Sequence, residues 1–444
     1  MRIILILSLF FISVFSLSLE ESKHLLNRTS FGYTQADLKY FKTLSKEEAV
    51  NYLITQASKK EIVDKPLNIK NVSTFAGKFK DLSKEEKKNL RKKANKKMLE
   101  IRTWWYKMMI NSKYSFRERM TLFWHNHFTS EYKVVKSPYM MFEQNMLYRN
   151  NALGNFAKLL EKSSKDLAML VYLDNNSNRK SHANENYARE LLELFTLGEG
   201  NYSEEDIKEA ARAFTGYRVN KKDAKLKKVK KHHDEGLKVF MGYVGNLDSD
   251  DIIEIILKQK NVSKFITMKL YIEFVSEKLD INELDRLAEI FRKSNYEISV
   301  LMKSILLSDN FWDLSNRGNM IKSPVEMIVS FIKNLNLDIN EKDYKLINRY
   351  AKNLGQDLFN PPNVKGWQGG KAWIDTNSLV NRNEFINILI NKKVKNKIIK
   401  ELELEDFTDF SNYFYALEVD EKLPFKNRKI EFKNLLSKPI YQLK

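Results

Sequence analysis

The chain has 444 residues, 43% hydrophobic and 30% charged, which is ample material for a packed core and excludes global disorder. It contains no cysteine, so disulfides, thiolate metal sites and cysteine nucleophiles are excluded. The formal charge of +19 admits a polyanionic partner such as an envelope polymer, but charge alone sets no specificity and no nucleic-acid partner is expected.

Met1-Arg2 is a short positive region, Ile3 to Phe15 is an apolar run, and Ser16 and Ser18 stand at the −3 and −1 spacing of a signal-peptidase site. That run is shorter than the roughly 20 residues of a helical span. Residues 1–18 are expected to be a cleaved export signal, with a periplasmic or secreted mature chain starting near Leu19. No later run is apolar enough for a transmembrane span.

Beyond it the hydrophobic period is helical. Ser45 with Glu48, Ser115 with Glu118, Ser203 with Asp206 and Ser323 with Glu326 read as capping boxes, and Pro324 suits a first helical position. Gly198 and Gly216 read as helix stops. Further helices are expected near 84–111, 138–150, 153–161, 165–173, 250–259, 261–277, 281–293, 297–307 and 341–353. The run Lys87 to Lys97 reads as a solvated helix face, and Lys221 to Lys231 as part of a loop or ribbon. Residues 58–82 are polar and aperiodic, a candidate flexible insertion. Short alternating runs predict a small β-ribbon near 217–244. Between Asn360 and Trp373, NPPNVKGWQGGKAW reads as an ordered, aromatic-rich loop. The expected fold is all-α, one large multi-helix domain over 19–444 with that ribbon inserted.

Four stretches carry candidate chemistry. In TLFWHNHF, His125 and His127 are two of only six histidines. Residues two apart on a helix diverge by about 200°, so both grip one ion only if the helix ends near Trp124. Otherwise they are buried, hydrogen-bonded side chains. In NENYARELLELFTLG, Asn184 is the expected N-cap. Tyr187, Ala188, Leu191, Leu192, Leu194, Phe195 and Leu197 form the apolar face, and Glu185, Arg189 and Glu193 a salt-bridged stripe opposite. Glu190 falls between Leu194 and Leu197, where a carboxylate must be paired, metal-bound or protonated. Upstream, Asp174, Asn176, Asn178 and Glu185 have the spacing of a weak calcium loop, although Arg179 stands where that loop needs glycine. Finally, His233-Asp234 precedes a glycine turn and offers a ligand or an oriented imidazole.

These stretches, with HLLNRTSFGYT at 24–34, RERMTLFWHNHFTS at 117–130, KSPVEM at 322–327 and LFNPPNVKGWQGGKAWI at 358–374, closely resemble a bacterial family, domain of unknown function 1800. The resemblance runs nearly end to end after the leader, departing chiefly in the lysine-rich segment around 58–97. It implies export and a sulfatase-like exported protein as a candidate partner, and it brings no established reaction.

Two functions follow. In the first, the 115–128 helix, the 174–185 loop, the start of the 185–197 helix and the His233-Asp234 turn form one polar pocket for metal-assisted or acid–base hydrolysis outside the cytoplasm. Glu190 is its buried carboxylate and Arg189 its anion clamp or ion-pair partner. His125, His127 and His233 are ligands to a zinc-like divalent ion or carry protons. In the second, the protein is a non-enzymatic binding or accessory module, with its basic surface and the WQGGKAW loop as working parts.

Overall fold

The computed structural model describes residues 16–59, 66, 82–112, 115–220, 224–394, 407–418 and 428–444. The expected leader through Phe15 and most of the candidate insertion at 58–82 lie outside the described residues.

Helix starts follow the local chemistry. Ser45, Ser83, Ser203 and Ser323 each accept a hydrogen bond from the third helical amide, whose own carboxylate side chain returns to the capping amide. Two otherwise orphaned N–H groups are satisfied at each start. The first described helix, Leu19–Thr29, is capped in the same way by Ser18 with Glu21. Leu17 just before it is 2% exposed and donates its N–H to Leu44 O at 2.8 Å. Gly198 and Gly216 both end helical segments with φ near +83°, a conformation that costs glycine little.

Ser115 is the exception. It opens the helix Ser115–His127, but Glu118 does not cap it. The Ser115 hydroxyl donates to Ser112 O at 3.4 Å and accepts from Lys333 Nζ at 2.9 Å. Glu118 is fully buried, paired with Arg149 and accepting from Trp105 Nε1 at 3.2 Å. Tertiary pairing has overridden a local signal.

The other predicted helices appear with small shifts at their ends, among them Lys84–Asn111, Pro138–Asn150, Ser249–Lys258, Lys260–Phe274, Ile281–Lys293 and Glu341–Asn353. In the helix Lys84–Asn111 the lysine-rich first half is largely exposed, while Met98, Ile101, Trp105 and Met109 of the second half are buried. The ribbon is two antiparallel pairs, Tyr217–Asn220 with Lys225–Lys228 and Lys238–Phe240 with Tyr243–Gly245. The fold is therefore mainly helical with a small β insertion.

Charged residues from distant motifs meet inside the core. Glu326 caps its own helix by accepting from Ser323 N at 2.7 Å, and it is paired with Arg119 and Lys444. Arg119 also reaches Glu273 at 2.9 Å. Burial alone would raise the Glu326 carboxyl, but the two cations hold it below its usual range. Arg28 is nearby and fully buried, and its Nη2 donates to Asn319 Oδ1 at 2.8 Å. Removing one member of such a group costs about 3–5 kcal/mol, because the remaining charges are stranded without water.

Candidate functional site

The helix bearing TLFWHNHF runs through His127, so its two histidines face different surroundings. His125 is fully buried between Trp105, Phe359 and Trp367, with ring centroids 5.1, 5.0 and 5.9 Å away. Neither ring nitrogen has a hydrogen-bond partner among the described residues. Burial pushes its imidazole down to about 3, so it is neutral.

The next residue locks this helix to the aromatic loop. Asn126 donates from Nδ2 to Trp367 O at 3.1 Å and accepts at Oδ1 from Trp367 N at 2.7 Å. Gly366, at φ +77°, is required there, since a Cβ would lie 2.3 Å from Asn126 Oδ1. His125 thus belongs to a structural joint between two motifs.

His127 points elsewhere, stacked beside Phe123 and near Phe195 and Phe265. Its Nε2 lies 3.0 Å from Phe195 O. A carbonyl only accepts, so Nε2 carries the proton and Nδ1 keeps its lone pair. Burial, with Lys269 nearby, also lowers this imidazole to about 3.

The helix opposite is not uniform. Asn186–Glu190 is α-helical, and Leu191–Thr196 widens into a π-helix, with Leu197 N donating to Leu192 O at 2.9 Å. Asn184 caps the start through Oδ1, which accepts from Asn186 N at 3.0 Å. The widening turns Thr196 inward and leaves Leu194 at the rim, which an unbroken helical period does not predict. Such single π turns are frequent at functional sites.

Glu190 stands just before the π turn. It is half-buried and, among the described residues, makes no hydrogen bond or ion pair. Burial and then Glu193 raise its carboxyl, while Lys365 and Arg189 oppose them. Lys269 is also half-buried, with its ammonium 5.3 Å from the Phe265 ring centroid, and burial and Lys365 lower it. Lys365, from the NPPNVKGW loop, is exposed and is the charge that both groups feel. Neighbouring Glu193 accepts from Tyr202 OH at 2.9 Å. An acid shifted up and a base shifted down, each in the field of a cation that is unpaired among the described residues, is a combination proton-transfer sites use.

Lys269 and Lys365 were not legible as site residues. Lys365 had one signal, as the cation inside a turn-rich motif. Lys269, on an amphipathic helix, had none.

The remaining predicted residues are mostly engaged. Arg189 holds Glu204 with two contacts of 2.8 Å and reaches Glu185 at 3.4 Å, so it is an ion-pair partner with no free fork for an anion. His233 Nδ1–H donates to Thr215 O at 2.9 Å, and Gly216 packs against its Cβ. Asp234 pairs with Arg212 at 2.9 Å and accepts from Gly236 N, and the arginine holds its carboxyl below the ordinary value. The turn thus fastens the ribbon to the helix Glu204–Ala213.

The 174–185 loop is not built as a calcium cage. Asn178 is buried and spent on structure, with Nδ2 donating to Ala211 O at 2.8 Å and Oδ1 accepting from Asn184 N at 2.9 Å. Asn176 Nδ2 is turned toward Leu170 O at 3.5 Å. Asp174 and Glu185 instead line a cavity of about 380 Å³ together with Ser177, Arg179, His182 and Asn184. The loop joins the His233 turn through Lys180 N to His232 O at 2.8 Å and Gly216 N to Asn178 O at 3.1 Å.

The predicted four-segment pocket is therefore distributed over three places. His125 lies in the joint, His127 and Glu190 belong to the patch with Lys269 and Lys365, and His233 belongs with the 174–185 loop. Among the described residues no group of three or more His, Asp or Glu side chains is disposed to hold a metal ion. The zinc-like set of His125, His127 and His233 is not assembled, because the unbroken helix separates the first two. No helix among the described residues is long and apolar enough to cross a membrane.

A family model described as "Protein of unknown function (DUF1800)" matches residues 24–433. No curated protein and no solved structure matches the chain.

Proposed function

The chain belongs to the DUF1800 family, and because that description carries no reaction we propose one from the side chains: acid–base hydrolysis of an extracytoplasmic substrate at the Glu190–Lys365–Lys269 patch. Glu190, raised toward its protonated form, donates to the leaving group. Lys269, lowered toward its neutral form, takes the proton of the attacking water. Lys365 stabilises the negative charge that develops between them. His127, held neutral by burial and by the charge of Lys269, borders the patch and takes no part in the proton transfer.

The observation that carries this reading is a carboxylate and an ammonium that are both half-buried and, among the described residues, both outside any hydrogen bond or ion pair, so that burial shifts them in opposite directions. A screen of chromogenic carboxylic, phosphate and sulfate esters and glycosides tests it. Turnover should fall by about 100-fold or more in Glu190→Gln and in Lys269→Met, as loss of a general acid or base predicts. No turnover of any class, or variants as active as the parent, would overturn it.

Export belongs to the same proposal, and the burial of Leu17 supports a cut between Ser16 and Leu17 in place of the one expected after Ser18, with Val14 and Ser16 at the −3 and −1 positions. A cut after Ser18 removes Leu17 from the core and the cap from Leu19–Thr29. N-terminal sequencing of the exported protein should read Leu17.

One observation favours the binding-module reading. Lys84, Lys87, Lys88, Arg91 and Lys92 line an open groove of about 620 Å³ on the first turns of their helix. If the protein retains a polyanionic envelope polymer, or a sulfatase-like partner, that retention should weaken with salt and with charge removal at this groove. It should be indifferent to Glu190→Gln.

A further inference from the structure

The cavity at the 174–185 loop has a composition unlike a cation site. Its wall is a tight turn in which His182 N donates to Arg179 O at 2.8 Å, setting the Arg179 and His182 side chains side by side. Both residues are exposed, and neither side chain makes a hydrogen bond or ion pair among the described residues. On the other wall Ser177 Oγ donates to Asp174 Oδ1 at 2.8 Å, and Asn184 Nδ2 approaches Asp174 Oδ2 at 3.4 Å. Glu185 touches Arg189 through Oε2 alone.

Positive charge from three parts of the chain gathers around Arg179 at the mouth of this cavity. Arg218 is anchored to Asn176 O, and the charges of Arg179 and Asp174 both reach it. His232, tied to the loop through Lys180 N, lies in the field of Arg218, Lys231, Arg179 and Lys180. A ligand drawn to this mouth is anionic. Two carboxylates inside, however, repel a bare anion and need donors such as hydroxyl groups. A volume of about 380 Å³ lies within the range of small-molecule sites.

We propose that this cavity binds a small anionic sugar. Its carboxylate or phosphate is held by Arg179 beside His182, and its hydroxyls donate to Asp174 and Glu185. The site is separate from the acid–base patch and does not depend on it. Arginine suits this role because its planar fork matches both anions.

Isothermal titration of the full chain tests the proposal with glucuronate, glucose 6-phosphate, glucose and inorganic phosphate. At least one of the two anionic sugars should bind, and the tighter of them identifies carboxylate or phosphate ester as the anchored group. Glucose and inorganic phosphate should each bind about tenfold more weakly or worse. Arg179→Gln, a change at an exposed side chain that is unpaired among the described residues, should weaken the anionic sugar by about tenfold or more and leave thermal unfolding unaltered. No binding of either anionic sugar, equal binding of glucose or inorganic phosphate, or an unchanged affinity in Arg179→Gln would overturn it.

Discussion

Glu326 and Glu190 are both drawn into a largely apolar protein, and they are treated in opposite ways. Glu326 is deep in the core with Arg119, Lys444 and the Ser323 amide around it, and its carboxyl is held low. Glu190 is only half-buried, yet it has no hydrogen bond or ion pair among the described residues and its carboxyl is raised. Saturation marks a carboxylate that holds structure together. Desolvation without a partner keeps a protonation state in reserve, at a cost that stability alone does not justify. The same contrast separates the histidines. His125 is sealed in an aromatic box, whereas His127 borders the patch.

The comparison breaks most visibly at Glu326. Glu326→Gln leaves buried Lys444 without its carboxylate and Arg119 with Glu273 alone, and should cost about 3–5 kcal/mol in denaturant unfolding. Acid sharpens the histidine half. His125 sits near 3 when folded against an ordinary value of 6.5, so the neutral ring's contribution is whole above that value and is lost as pH falls toward 3. The loss is about 1.4 kcal/mol per pH unit, and His125→Phe should flatten the pH slope of the unfolding free energy by that amount. His24 and His127, also near 3, should keep the rest of the slope.

At neutral pH His127→Phe should cost about 1 kcal/mol in thermal or denaturant melts, because Phe195 O loses its donor. His125→Phe, exchanging a ring without partners for an apolar one of similar shape, should be neutral or stabilising there. The smallest stability effect belongs to Glu190→Gln, within about 0.5 kcal/mol of the parent, since no ion pair is broken. A loss there as large as that of Glu326→Gln would show that Glu190 is structural after all.

Much of the fold was legible because its signals are local. The boxes at Ser45, Ser203 and Ser323 and the stops at Gly198 and Gly216 depend on residues within one turn, so chain order suffices to read them. Glu118 shows the limit. It has the spacing of a cap, but Arg149, from another helix, claimed it. Glu190 was visible as a carboxylate at the margin of an apolar face. Its neighbours Lys269 and Lys365 were not, since each comes from a segment far along the chain. Asn178 fitted a cation loop by spacing and was spent on Ala211 O instead.

The order of amino acids by itself determined where helices begin and end, that the family motifs are present, and that one acid falls out of pattern with its apolar neighbours. Those features are set by periodicity and by hydrogen bonds a few residues long. Tertiary structure alone decided which charges are neutralised, which histidine faces the patch, and that a loop spaced for calcium became a cavity carrying an arginine. Partnership in a low-dielectric interior depends on which distant side chains arrive there, and no local pattern encodes that.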